Sequence, residues 1–586
     1  MRPDVRTGIV MAVVLVAALA WGSLAGSPGT LRHTLYYTAD DLEFSRSRDF
    51  DLVTLRDADL MSEVGAPQLP VDLVQLALPP GTEIERIEVN ARSSTELPGR
   101  YHILPAQPPA ILAMPELSHE PPPFVEPAPE VYGSTAGFPE RVVIHAGTGY
   151  LGGYEVADIL VYPLSYVPAS GRLSLYTEIE LEIHYGASDR APREVRRRTE
   201  TASRIYERAV ARIVHNQNYL AECAPSPSGS TPRQGETDVY EYVIVTGPSY
   251  VSAFQPLADW KTKSGTPAKI VTTDWIYSNY QGVDNQDRIR NFIIDAYQNW
   301  STVWVLLGGD TNVVPARIAF AMDCQAGFYP DENDLQCDLY YADLDGTWNA
   351  NQNQTYGEVD DEVDLYPDVF VGRASTSSVS EAQAWVNKVL TYEIDPPTDY
   401  ELNMLFAAEI LWSNPYTDGG VAKDLIDDLY VPPDFDPITK LYERLGNESH
   451  ATVMAALNEG QNVTNHAGHA NTTIMSVGSG SLSPSDMDAL TNHPRNGILY
   501  SIGCWPAAFD YDCIAEHFVN NPNGGGVAFI GNSRYGWGSP GNPEYGYSDR
   551  FDQRFYAMLF VQDIYHIGAT LAQAKAYYAP RSHDEN

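Results

Sequence analysis

Cys504 and His469 are the two residues whose types and settings could do chemistry together. The cysteine lies in Ser501-Ile502-Gly503-Cys504-Trp505, and the histidine in Asn465-His466-Ala467-Gly468-His469-Ala470. A thiol becomes a strong nucleophile once it is deprotonated, and an imidazole beside it can take that proton. The thiolate can then attack a carbonyl, and the tetrahedral oxyanion that forms needs N–H donors. The backbone N–H groups of Ala470 and Cys504 are candidates for that role. Gly468 and Gly503 leave the backbone beside each candidate free to turn tightly.

Position supports the pairing. Gln461-Asn462-Val463-Thr464 precedes the histidine segment, and Gly497-Ile498-Leu499-Tyr500-Ser501-Ile502 leads into the cysteine. Both runs read as buried strands, so each candidate sits just past a strand's carboxyl end. In open α/β sheets that edge carries the chemistry.

The elements that must position these residues follow from the rest of the chain. Its 586 residues exceed one compact domain. A formal net charge of -40 repels nucleic acid and anionic lipid, so neither is an expected partner. Arg2 and Arg6, the apolar run from Gly8 to Trp21 and the small residues Ser23-Leu24-Ala25 read as a signal peptide over 1–25, hence a secreted protein. The rival is an uncleaved N-terminal anchor. No later stretch has a long enough apolar run to span a membrane, so no span is expected in the mature chain.

Residues 26–190 alternate apolar and polar residues, most clearly in LSLYTEIELEIHY (173–185), and read as a β-rich, sandwich-like domain. The proline-rich stretch 104–130 argues for a long loop or an inter-sheet connection. Residues 191–238 hold a basic helix with Arg204, Arg208 and Arg212, then a Pro/Ser linker. They suit a processing junction or an ordinary interdomain linker. From 239 to 586 apolar strands alternate with helices, which implies an α/β domain with a mostly parallel sheet.

The catalytic segments, with Phe509-Asp510-Tyr511 after them, resemble those of the gingipain-type cysteine peptidases, whose fold is caspase-like. Leu307-Gly308-Gly309-Asp310, Tyr366-Pro367-Asp368-Val369-Phe370-Val371-Gly372-Arg373 and Gly525-Gly526-Val527-Ala528-Phe529-Ile530-Gly531-Asn532 follow in that family's order. Gly65-Ala66-Pro67-Gln68-Leu69-Pro70 resembles its prodomain. The resemblance implies a zymogen acting on protein or peptide substrates, with its own prodomain as inhibitor or chaperone. It makes Cys504 the nucleophile, His469 the general base and Asp368 the acid that orients the histidine. Ala470 departs from the family's usual glycine, and Trp505-Pro506 departs after the cysteine. The primary-specificity pocket cannot be carried over residue by residue.

Two other features carry chemistry. His466 and His469 form a His-x-x-His pair that could hold a transition metal, although a third ligand is not obvious. Asp343, Asp345, Asn351 and Glu358, around Gly346, offer oxygen ligands that suit a structural Ca²⁺, against the reading of an ordinary solvated acidic loop. No cofactor is required for the cysteine chemistry itself. Of five cysteines, Cys324 and Cys337 could close a short disulfide loop, while a bond between Cys504 and Cys513 would disable the nucleophile. The sequence expectation is therefore a secreted cysteine endopeptidase zymogen. The rivals are a non-catalytic surface or adhesion protein that keeps the fold, and a metal-dependent hydrolase using His466 and His469.

Overall fold

A computed structural model describes residues 28–114, 120–188, 190, 194–225, 238–321 and 334–581. The expected signal peptide, most of the Pro/Ser linker, Cys324 and the last five residues lie outside these.

The N-terminal part is two antiparallel four-stranded sheets. One holds Gly29–Tyr36, Arg172–Ala187, Leu164–Val167 and Thr82–Glu96; the other holds Asp59–Leu60, Pro70–Leu78, Tyr154–Val161 and Val143–Leu151. The alternation at 173–183 does what period two requires, because Leu173, Leu175, Ile179, Leu181 and Ile183 all enter the core between the sheets. Pro70–Leu78 (PVDLVQLAL) shows almost no alternation and is nearly all buried. Val74 and Leu76 face the other N-terminal sheet, while Ala77 joins the core shared with the C-terminal part. A strand covered on both faces has no polar face to show.

The basic segment is folded onto the C-terminal part. Thr199 caps the helix Glu200–Ala211, with its hydroxyl accepting from the Ala202 N–H. Arg198 stacks 4.3 Å from the Tyr206 ring and donates to the Gly152 carbonyl and the Tyr297 hydroxyl. Tyr206 and Ala209 belong to the same core as Tyr297 and Phe370.

The C-terminal part contains two all-parallel sheets. The first runs Ala268–Thr272, Tyr242–Thr246, Trp304–Gly308, Phe370–Ala374. The second runs Thr439–Tyr442, Met404–Ala408, Val463–Ala467, Gly497–Ser501, Gly526–Gly531. The histidine strand (Val463–Ala467) and the cysteine strand (Gly497–Ser501) are therefore adjacent central strands, with His466 opposite Ser501. Every residue of both is buried. Among the described residues, no helix is long and apolar enough to cross a membrane.

Candidate active site

His469 lies two residues beyond its strand. Its ring Nδ1 is 2.7 Å from Oε1 of Glu409, and its backbone N–H donates to the same oxygen at 2.6 Å. Glu409 directly follows the neighbouring strand Met404–Ala408, and its N–H donates to the Ala467 carbonyl. Both side chains thus stand at the carboxyl edge of one sheet. Burial alone would raise the Glu409 carboxyl, but the hydrogen bond and positive charge of His469, its backbone N–H and the Ser476 side chain together hold it below the usual value. A carboxylate on Nδ1 keeps the proton there and leaves Nε2 as the base. Trp412 packs edge-on against the imidazole, with centroids 5.7 Å apart.

Cys504 is fully buried. Its Sγ receives the Gly536 N–H at 3.1 Å and lies 3.5 Å from the Gly536 carbonyl. Asn532 Nδ2 donates to the carbonyls of Ile502 and Gly503, fixing the turn into the cysteine. Glycine is needed at 503 for space rather than for its dihedral freedom. A Cβ there would lie 2.5 Å from that of Ala470 and 2.8 Å from the Gly468 carbonyl. Gly468 is equally tight, since its Cβ would meet His466 Nε2 at 2.6 Å.

A piece of the N-terminal part occupies this site. Ala110–Ile111 pairs antiparallel with Trp537–Gly538. The Leu112 carbonyl accepts the N–H of Ala470 at 3.0 Å and of Cys504 at 3.1 Å, the two donors expected for an oxyanion. The Leu112 N–H donates to the Gly536 carbonyl at 2.8 Å, and the Met114 N–H to the Ala470 carbonyl at 3.2 Å. The segment lies as an added strand with one carbonyl in the donor pair, as a peptide substrate would. Ala110, Ile111, Leu112 and Ala113 are all buried. Burial contributes roughly 1.5–3 kcal/mol for each large apolar side chain, enough to hold a short segment already tethered to the same chain. Elsewhere Arg550 Nε donates to Asp59 at 2.6 Å, Arg554 to the Asp57 carbonyl at 2.7 Å, and Gln75 to Tyr366 at 2.6 Å.

Asp368 is not the acid on the histidine. It precedes the strand Phe370–Ala374 of the other sheet, at that strand's amino end. One of its carboxylate oxygens accepts the Leu344 N–H, and oxygens of Asp343, Asp345 and Asp368 lie within 4.8 Å of one another. This corrects the expected metal set too. Asn351 instead donates to Glu358 within a separate loop. Asp343 already accepts from the Asp345 N–H and from Trp348, and burial pushes its carboxyl up to about 7. A two-histidine metal site is not formed. His466 Nε2 lies 2.7 Å from the Ser476 carbonyl and Nδ1 2.9 Å from the Ser501 hydroxyl, and burial lowers its pKa to about 4. His466 is thus a neutral, fully bonded core residue. Cys504 and Cys513 form no disulfide with each other. Cys513 caps the helix Ile514–Asn520, and burial raises its thiol pKa.

Sequence reasoning missed Glu409 and the Leu112 segment. The signal for the first was available, because a lone acid ends the apolar run MLFAAE (404–409).

Comparison with known proteins bears on this arrangement. Residues 236–586 match the model of peptidase family C25. The chain belongs to that family. Residues 38–213 match the family's propeptide, so the β-rich part is a C25 propeptide and the α/β part a gingipain-type cysteine peptidase domain. Lys-gingipain of Porphyromonas gingivalis is 24% identical over 544 residues, covering 88% of this chain and 28% of that protein. Gingipain R2 of the same species is 21% identical over 500 residues, covering 82% of this chain and 60% of that protein. The chain thus spans less than two thirds of these relatives' lengths. The crystal structure of the Arg-specific cysteine proteinase gingipain R aligns at 18% identity and TM-score 0.46, covering 61% of this chain and 77% of that one.

Proposed function

We propose that the chain is a secreted cysteine endopeptidase zymogen. The observation that carries this is the Leu112 carbonyl held by both Ala470 and Cys504 N–H groups, beside a thiol and a carboxylate-oriented imidazole. His469 Nε2 takes the Cys504 proton, and the thiolate forms an S–C bond to the scissile carbonyl. The carbonyl electrons move to oxygen, where the Ala470 and Cys504 N–H groups meet the charge. As the intermediate collapses the C–N bond breaks, and the imidazolium gives its proton to the leaving amine. Water, deprotonated by His469, then cleaves the thioester and regenerates the thiol. Glu409 keeps the ring in the required tautomer and stabilises its protonated form.

Latency follows from the same geometry. With the Leu112 carbonyl in the donor pair, no substrate carbonyl can enter, so the prodomain must be cut or displaced; the basic and Pro/Ser composition of the sequence between about 193 and 238 suits that cleavage. Secretion rests on the sequence of residues 1–25. The chemistry calls on no metal. A calcium ion, if bound, is structural, and its donors are Asp343, Asp345 and Asp368; titration with Ca²⁺ would then raise Tm in the wild type but not in Asp345→Asn.

The test is casein hydrolysis under mild reductant by processed wild type and Cys504→Ala. Activity lost only in the variant supports the mechanism, and equal activity sinks it. An unreactive Cys504 with no hydrolysis would favour a non-catalytic surface protein.

A further inference from the structure

The prodomain segment also carries information about specificity. It lies in the direction and register of a substrate, so its side chains occupy the subsites that a substrate's would. Leu112, whose carbonyl sits between the two donors, is the residue on the acyl side of the bond Cys504 would attack. Ala113 is then on the leaving side, and Ile111 and Ala110 precede the bond. Leu112 is fully buried.

That side chain shares its space with an indole and a glycine. A Cβ built on Gly538 would lie 3.2 Å from Leu112 Cδ2 and 2.7 Å from the Trp412 ring. Gly538 therefore leaves the space that Leu112 and the Trp412 indole share, and Trp412 in turn packs on His469. All three residues are closely buried, and Leu112 and Trp412 belong to one apolar cluster with Cys504. Neither Trp412 nor Gly538 brings a charge. The buried carboxyl of Asp549 stands behind this wall, close to Gly546, whose own Cβ would lie 2.7 Å from Gly538 Cα. Burial pushes that carboxyl well above its usual range, against the opposing pull of Lys423.

We propose that the primary-specificity pocket of this enzyme is an apolar slot, walled by Trp412 and floored by Gly538, that takes a leucine-sized aliphatic side chain. This rests on the peptidase reading above and narrows it to a substrate class: peptide bonds following leucine or methionine, with small apolar residues tolerated three positions before the bond, where Ala110 lies. The same slot is what the prodomain fills to keep the zymogen latent.

Two measurements test it. The processed enzyme is given peptide amides that share an Ala-Ile lead and end in Leu, Met, Phe, Lys or Arg before a fluorogenic leaving group. Leucine and methionine should be cleaved at least about tenfold faster, as kcat/KM, than lysine or arginine. Faster cleavage after lysine or arginine would overturn the proposal while leaving the cysteine mechanism intact. Gly538→Ala should move the preference from leucine towards alanine, because the new methyl takes the space of Leu112 Cδ2; an unchanged preference would remove Gly538 from the pocket.

The second measurement needs no turnover. In the intact zymogen, the rate at which iodoacetamide labels Cys504 reports how often the segment leaves the site. Leu112→Met should label as slowly as wild type, and Leu112→Lys at least about tenfold faster, at equal circular dichroism. A lysine variant that labels as slowly as wild type, or more slowly, would contradict an apolar pocket. If Cys504 in the processed enzyme reacts no faster than in the zymogen and no amide is cleaved, the parent reading fails and this proposal with it.

Discussion

A single oxygen of Glu409, Oε1, accepts both the backbone N–H and the ring Nδ1 of His469, at 2.6 and 2.7 Å. One carboxylate thus fixes the loop that carries the histidine as well as the tautomer of its ring. Glu409→Gln keeps the shape but can turn its amide N–H towards Nδ1 and invert the tautomer. The expected result is a fall in kcat of about 10²–10⁴-fold with little change in KM. Steady-state kinetics on the processed variant checks this, and a loss confined to KM would reassign Glu409 to substrate binding.

That residue also marks where the sequence stopped being legible. Cys504 and His469 could be found because each ends a buried run, and the carboxyl edge of a parallel sheet is where such residues are used. Glu409 obeys the same rule, because its strand ends at Ala408 and the acid is the next residue. Asp368 was the wrong acid for a matching reason, since it stands at the amino end of Phe370–Ala374. The Leu112 segment was not legible at all. Its strand of two residues exists only through pairing with Trp537–Gly538, more than 400 positions away, and no local pattern encodes that. The sandwich was readable because one face of Arg172–Ala187 is buried and the other is not.

Gly503 is required by the Ala470 Cβ facing it, 2.5 Å from where a new methyl would sit. Gly503→Ala should push the two donors apart, lowering kcat by about 10²–10³-fold, as loss of one donor does. Overpacking should also lower stability by about 1–3 kcal/mol. Thermal melting and kinetics together check this; full activity at wild-type Tm would mean that the donors are not placed by this contact.

Asp59 on the prodomain meets Arg550 on the catalytic domain, both side chains largely buried. Asp59→Asn leaves the mature domain's sequence untouched but removes the charge that Arg550 was buried against. Breaking one side of such a pair typically costs about 3–5 kcal/mol. The zymogen variant should expose Cys504 to iodoacetamide faster than wild type, while the processed enzymes behave alike. Equal labelling of the two zymogens would show that the latch does not control the site.

Glu448 is buried with neither carboxylate oxygen hydrogen-bonded among the described residues, and burial, then the charge of Glu409, pushes its pKa from 4.5 up to about 9. A raised acid pKa means that the folded state holds a proton that the unfolded chain releases. Stability from this group is therefore full below pH 4.5 and lost progressively as pH rises towards 9. Glu448→Gln should be neutral in acid and stabilising above it, by on the order of a few kcal/mol at pH 7. Melts of both proteins across this range check it; parallel curves would contradict a buried, protonated Glu448.

The most direct test of the account as a whole is to find which atom forms the acyl bond. The processed protein is treated with an acyloxymethyl ketone bearing Ala-Ile-Leu, digested and read by mass spectrometry. The account predicts a single adduct on Cys504, with none on Cys223, Cys324, Cys337 or Cys513, and its loss in His469→Ala. An adduct on another residue, or casein hydrolysis that survives Cys504→Ala, would contradict it.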